Sequence, residues 1–402
     1  MPQTKIIPAK RTENVRYAIR DIVALANQVA ATGKEMYYLN IGDPNVYDWS
    51  TPPHIIDAID KAMRENYNGY APSSGTKPAI ESIIRDAARK GIDKNILDVF
   101  VTHGASEAIE LCLTALLDEG DNFLMPTPGY PLYTAVESKL MLQSNPYYLN
   151  EEDGWQPDIE DIKSKVNSRT KAIVVINPNN PTGCLCRKEI LEQIIEIALE
   201  HNLLIISDEI YDKLLFDDNK LVSMAALNSE VSCITFSGLS KSYIAPGFRI
   251  GWGIATGRCD IMGDYLEAVN KLLRARLSAN HPIMRAIPEA LDGDQSHITR
   301  MNSILMKRRD IVINAIKDFD GITMVNPQGA FYAFLSIDVK DDAQFCRELV
   351  KETGVLVVPG SGFGQKPGTH HFRIVILPPE EVIEKAFAHI KSFYKEYKNK
   401  FE

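Results

Sequence analysis

Cys233-Ile234-Thr235-Phe236 runs directly into Ser237-Gly238-Leu239-Ser240-Lys241, and Gly247-Phe248-Arg249-Ile250-Gly251 follows a short turn later. The first four residues read as a buried strand, and the small residues behind them let the backbone come close to a ligand. A lysine in that place can form an imine with an aldehyde. It is nucleophilic only when its ammonium is partly desolvated or lies near another cation, either of which lowers its pKa towards working pH, and Arg249 is the candidate cation. Alone, a serine-lysine pair is most often a solvated loop feature. Its weight comes from what the other segments add.

Three more strand endings carry polar residues. The apolar run Leu203-Leu204-Ile205-Ile206 closes on Asp208-Glu209-Ile210-Tyr211, and Ala172-Ile173-Val174-Val175-Ile176 closes on Asn177-Pro178-Asn179-Asn180-Pro181-Thr182-Gly183. Val99-Phe100-Val101-Thr102 leads through a glycine turn, Gly104-Ala105-Ser106, into an amphipathic helix. Open α/β sheets bind ligands at the carboxyl ends of their strands, so the four endings point at one crevice.

The remaining chain supplies the frame. Helical periodicity marks 55–63 and 77–88, joined by the turn-rich Gly69-Tyr70-Ala71-Pro72-Ser73-Ser74-Gly75. Strand and helix alternate from 99 to about 252, the pattern of a mostly parallel sheet. A long helix is expected at 263–277, then a helix at 304–319, strands at 331–334 and 372–376, and a last helix at 381–397. The expected fold class is α/β: a large domain with a mostly parallel central sheet flanked by helices, plus a smaller α+β domain.

Composition excludes more than it identifies. With 402 residues, 45% hydrophobic and 24% charged, the chain can bury a large core and divide into two domains. A net charge of -9 with no Lys/Arg-rich block argues against a nucleic-acid surface. No run of eighteen apolar residues is present, and Met1-Pro2-Gln3-Thr4-Lys5-Ile6-Ile7-Pro8 lacks the apolar core of a secretory signal, so a cytoplasmic protein is expected. The six cysteines read as buried free thiols, since Cys184 and Cys186 have no Cys/His partners at zinc spacing. No metal is expected, and His370-His371 is expected in a turn before a strand.

Asn180-Pro181-Thr182-Gly183, Asp208-Glu209-Ile210-Tyr211, Ser240-Lys241 and Arg249 resemble, in order and spacing, the class I/II aminotransferases, fold type I enzymes that use pyridoxal 5′-phosphate. More narrowly, Asn14-Val15-Arg16-Tyr17-Ala18-Ile19-Arg20, Leu39-Asn40-Ile41-Gly42-Asp43-Pro44, 176–180 and 208–213 look like the bacterial and archaeal alanine aminotransferases, and the likeness runs from about residue 13 nearly to the C-terminus. It implies an N-terminal arm with part of the small domain (1–50), a large cofactor-binding domain (51–290) and a small domain (291–402).

The resemblance also implies roles. Lys241 would hold the cofactor as an imine and later carry the substrate's Cα proton as general base and acid. Asp208 would pair with the protonated ring nitrogen, which lets the ring accept electrons from Cα. Tyr211 and Asn180 would reach the phenolic oxygen, and Tyr130 would stack on the ring. The phosphate would lie on the amides of Ala105 and Ser106 with Arg249 as a charged partner, and Tyr70 would reach across a homodimer to the partner's phosphate. Many relatives have serine three residues before the lysine; Gly238 stands there here, leaving Ser240 or Ser237 as substitutes. Arg373 would clamp the substrate α-carboxylate, with Gly42 lending a backbone amide and Asn180 nearby.

Tyr17 and Arg20 resemble residues that fold over the site in alanine aminotransferases. The implied reaction moves an amino group between L-alanine and 2-oxoglutarate, giving pyruvate and L-glutamate. Glutamate needs a second cation for its side-chain carboxylate: Arg20 is the candidate, with Arg276 of a partner chain as the alternative. The same residues are compatible with an aspartate, aromatic or branched-chain aminotransferase, or with a β-eliminating lyase. A regulator with an aminotransferase-like domain lacks room before Leu39 for a helix-turn-helix module, and a nucleotide-binding enzyme lacks the phosphate-cradle and dinucleotide glycine patterns.

Overall fold

The structure is a computed structural model and describes residues 5–13, 15 and 18–401, with the side chains of 18–21 and 401 outside the description. The first strand is β1 (Tyr37–Tyr38), followed by β2 (Ile96–Thr102), β3 (Asn122–Thr127), β4 (Asn145–Asn150), β5 (Gln156–Pro157), β6 (Thr170–Ile176), β7 (Leu204–Asp208), β8 (Cys233–Gly238) and β9 (Gly251–Thr256). The last eight form one sheet in the order β2-β9-β8-β7-β6-β3-β4-β5. Contacts among β8, β7, β6, β3 and β4 are parallel, while β9 runs against β2 and β8, and β5 against β4.

The apolar runs form central strands because both faces are covered, which demands hydrophobic residues without polar alternation. Ile173, Val175 and Ile205 turn to one side, where they meet Leu191, Ile194 and Ala198 of helix Lys188–Glu200. Ala172, Val174, Ile206 and Ile234 turn to the other and pack against Ile109 and Leu113 of helix Ala105–Leu116 and Leu266 and Val269 of helix Cys259–Ala275. Carboxyl ends of the parallel strands therefore open along one edge, as the polar endings predict.

The rest of the chain builds β10 (Ile322–Met324), β11 (Tyr332–Ile337), β12 (Val355–Leu356), β13 (Val358–Pro359) and β14 (His371–Val375). A second, antiparallel sheet has the order β10-β11-β14-β13, while β12 pairs in parallel with β1 and ties the N-terminal segment to it. Its core includes Leu305 and Val312 of helix Ser296–Ile316, Phe345 and Leu349 of helix Asp342–Thr353, and Phe387 and Ile390 of helix Glu380–Phe401.

Several expectations are corrected in detail. The long helix spans Cys259–Ala275 rather than 263–277, and the next begins at Ser296 rather than 304, because its polar first turns show little apolar period. His371 is not in a turn: it opens β14, fully buried, with its ring stacked on Phe334 at 4.7 Å. Cys259 is exposed and Cys186 half-buried, whereas the other four cysteines are buried; all six are free thiols. Among the described residues no group of three His, Cys, Asp or Glu is placed to hold a metal, and no helix is long and apolar enough to cross a membrane.

Candidate active site

A cavity of about 280 Å³ opens where the carboxyl ends of β2, β6, β7 and β8 meet the small sheet. Lys241, Asp208, Tyr211 and Asn180 all line it. So do Ala105, Ser106, Arg249, Ser240, Tyr130, Gly42 and Arg373. Residues more than 300 positions apart in the chain thus share one crevice.

Asp208 is the last residue of β7 and 3% exposed. The Tyr133 hydroxyl donates to Oδ2 at 3.1 Å, and the Ile210 amide donates to Oδ1 at 3.4 Å. Burial pushes the carboxyl up to about 6, against the pull of those two bonds. Among the described residues no cation makes a hydrogen bond to this buried carboxylate, so its charge has room for a cationic partner.

Lys241 follows β8, and its Nζ donates to the Gly42 carbonyl at 2.9 Å. Its pKa falls to about 8. Burial is the main cause, with Arg373 and Arg249 lowering it further and Asp43 and Asp208 opposing. Arg249, the cation expected to activate the lysine, is therefore a minor contributor: desolvation does most of that work.

At one end of the cavity Gly104, with φ of 76°, precedes helix Ala105–Leu116, whose first amides lack intrahelical acceptors. Arg249 lies over this turn, donating from Nη2 to the His103 carbonyl at 3.4 Å and from Nη1 to the Pro246 carbonyl at 3.0 Å. A Cβ at position 104 would stand 2.5 Å from Nη2. Helix amides, dipole and guanidinium together make an anion site. Position 238 has no room for a side chain, since a Cβ there would meet the Ile250 carbonyl oxygen at 2.7 Å. Of the two candidate serines, Ser240 lines the cavity.

At the other end Arg373, on β14 and 1% exposed, donates from Nη1 to Asn180 Oδ1 at 3.2 Å and from Nη2 to the Asn40 carbonyl at 2.5 Å. These bonds fix the plane of the guanidinium fork.

Residues 34–390 match the family model for aminotransferase class I and II. The chain belongs to the class I and II aminotransferases. This aminotransferase is 37% identical to the alanine aminotransferase of Mycobacterium tuberculosis, across 98% of its own length and 94% of the relative's. It is also 37% identical to the glutamate-pyruvate aminotransferase AlaA of Escherichia coli, across 97% and 98%. Among solved structures, the alanine aminotransferase from Pyrococcus furiosus superposes with a TM-score of 0.93 at 39% identity, over 97% of this chain and 100% of that one.

Some expected residues stand apart from the cavity. Tyr70 is 84% exposed and is not among the residues that line its own chain's cavity. Tyr17 lies outside the described residues, as does the side chain of Arg20, whose backbone belongs to helix Ala18–Ala30. Arg276 is turned into its own chain: Nη2 donates to the Val101 carbonyl at 2.6 Å, and Nε stands 3.4 Å from Glu107. Sequence reasoning missed Tyr133, Tyr332, Ile41 and Val23. Tyr133 lies three residues beyond Tyr130 in the first turn of helix Pro131–Lys139, a spacing that marks a shared face. Tyr332 sits in an apolar strand, where nothing distinguishes it from core.

Proposed function

We propose that this aminotransferase transfers an amino group between L-alanine and 2-oxoglutarate, giving pyruvate and L-glutamate, with pyridoxal 5′-phosphate carried on Lys241. The observation behind the reading is one cavity that holds an anion-binding helix end, a buried carboxylate, an amine with its pKa near 8 and a fixed guanidinium fork. These features fit the cofactor part by part: its phosphate at Ala105, Ser106 and Arg249, its ring nitrogen at Asp208, its phenolic oxygen at Tyr211 and Asn180, and its ring face at Tyr130. Ser240 adds a hydroxyl near the phosphate end.

When bound, the cofactor would supply the electron sink that makes the substrate's Cα–H bond acidic. Asp208 would keep the ring nitrogen protonated, a pairing that would also relieve the cost of burying its own carboxylate. Arg373 receives the α-carboxylate on its two-pronged face, braced by Asn40 and Asn180, and Gly42 brings backbone to the same place. With the cofactor bound, the free Lys241 amine would be the group that accepts the proton from the substrate's Cα as general base and gives it back as general acid. A base with a pKa of about 8 is suited to both halves of that transfer at neutral pH.

Substrate choice rests on the cavity wall and on the relatives. Val23 and Ile41 give apolar contact for a methyl side chain. The lining cations Lys241, Arg249 and Arg373 are all committed, so glutamate's second carboxylate calls for another. Arg20 precedes Val23 by three residues on the same helix and is the proposed partner. Tyr70 is proposed to reach the partner's phosphate in a homodimer.

The test is a screen of L-amino acids against 2-oxoglutarate with the purified enzyme and the Arg20→Ala variant. Alanine should lead among donors, and the variant should lose glutamate turnover more than alanine turnover. Preference for aspartate or aromatic donors, or ammonia release without an acceptor, would overturn the assignment, and an unchanged alanine-to-glutamate ratio would remove Arg20 from it.

A further inference from the structure

We infer that Tyr332 is a positioning residue that acts through Tyr211: its hydroxyl donates to the Tyr211 oxygen, aims the Tyr211 proton into the cavity and so favours the ionised phenolic oxygen of the bound cofactor. The inference rests on the reading that the cavity holds pyridoxal 5′-phosphate.

Tyr332 opens β11 in the small sheet, and Tyr211 stands just beyond β7 in the large one. Both are 3% exposed, their hydroxyl oxygens are 2.9 Å apart, and their rings meet edge to face at 5.6 Å and 83°. A second aromatic of the same segment, Phe331, meets the Tyr211 ring at 5.4 Å and 87°. Tyr211 is therefore oriented from across the cleft, by the small sheet rather than by its own.

Two hydroxyls at hydrogen-bond distance share one proton between their oxygens and must direct the other elsewhere. Charge decides which one donates. A cation stands by each ring, the Arg373 guanidinium 4.5 Å from the centre of Tyr332 and the Lys241 ammonium 5.9 Å from that of Tyr211; the closer cation draws more electron density from its phenol, which makes Tyr332 the stronger donor. Tyr211 is then the acceptor and keeps its own proton for the cavity. A donated bond also strengthens the bond that the recipient hydroxyl makes in turn.

The space for this arrangement comes from Gly42. A Cβ at that position would stand 2.2 Å from the Tyr332 hydroxyl oxygen, and the same glycine's carbonyl accepts from Lys241. Tyr332 thus contacts the carboxylate-binding arginine, the phenol expected at the cofactor and the backbone that holds the lysine.

The experiment is a pH titration of the visible absorption band of the holoenzyme in wild type, Tyr332→Phe, Tyr211→Phe and the double variant. Phenylalanine keeps the ring under Arg373 and deletes only the donor. Tyr332→Phe should raise the pH midpoint by about 0.3 to 0.5, a two- to threefold change in the ionisation constant, and lower kcat with KM for alanine held within about twofold. Tyr211→Phe should raise the midpoint further, and adding Tyr332→Phe to it should change nothing more. An unmoved midpoint in Tyr332→Phe, or two shifts that simply add, would overturn the relay. A wild-type holoenzyme with no pH-dependent band would instead overturn the cofactor reading beneath it.

Discussion

Replacing Asp208 by Asn should stabilise the cofactor-free protein while crippling the loaded enzyme. The carboxyl rises from an ordinary 3.8 to about 6 because it is buried. Since each pKa unit is worth about 1.4 kcal/mol, ionising it in the folded state costs about 3 kcal/mol. The sign follows from the direction of the shift: the folded protein holds its proton to higher pH than the unfolded chain, so stability is lost as pH rises through the folded value. Asn is isosteric, and the Tyr133 hydroxyl that donates to Oδ2 at 3.1 Å can turn to accept from an amide instead. Urea unfolding of the stripped protein should therefore show Asp208→Asn ahead of wild type by about 3 kcal/mol at pH 7.5 and by a smaller margin at pH 5. With cofactor bound the order of function reverses: the variant should release it faster and lose most turnover. A stripped variant less stable than wild type at pH 7.5, or a gap independent of pH, would refute the reasoning.

Arg373→Lys should raise KM for L-alanine about 30-fold, as a point charge forfeits one prong of the carboxylate clamp and the bracing bonds to Asn40 and Asn180, an effect of about 2 kcal/mol; steady-state kinetics read it, and the cofactor's absorption should stay in place. Gly104→Ala should weaken cofactor binding about tenfold or more, because its Cβ would press on the Arg249 guanidinium at 2.5 Å and its φ of 76° disfavours a side chain. Equilibrium dialysis against pyridoxal 5′-phosphate measures that loss.

The large sheet was legible because strands covered on both faces leave an unmistakable record: Ala172 to Ile176 and Leu203 to Ile206 are apolar without interruption, and their polar endings mark the open edge. Asp208, Asn180 and Lys241 follow those endings, and all three line the cavity. Arg373 came only through the resemblance, since one arginine in an apolar strand has no local signature. Tyr332 and Tyr133 were illegible for a related reason. Their hydroxyls matter through partners brought by tertiary docking, Tyr211 from beside the large sheet for Tyr332 and Asp208 at the end of β7 for the helical Tyr133, and sequence period records burial but not pairing. Both causes expected for a lowered Lys241 pKa act, but only one is visible in sequence: a nearby arginine can be read there, whereas the depth of burial that dominates cannot.

Borohydride reduction of the freshly purified holoenzyme, followed by tryptic digestion and mass spectrometry, tests the centre of the account. The account predicts one pyridoxyl group per chain, attached at Lys241. Protein that carries no pyridoxyl group after reduction, or carries it on another lysine, would contradict it.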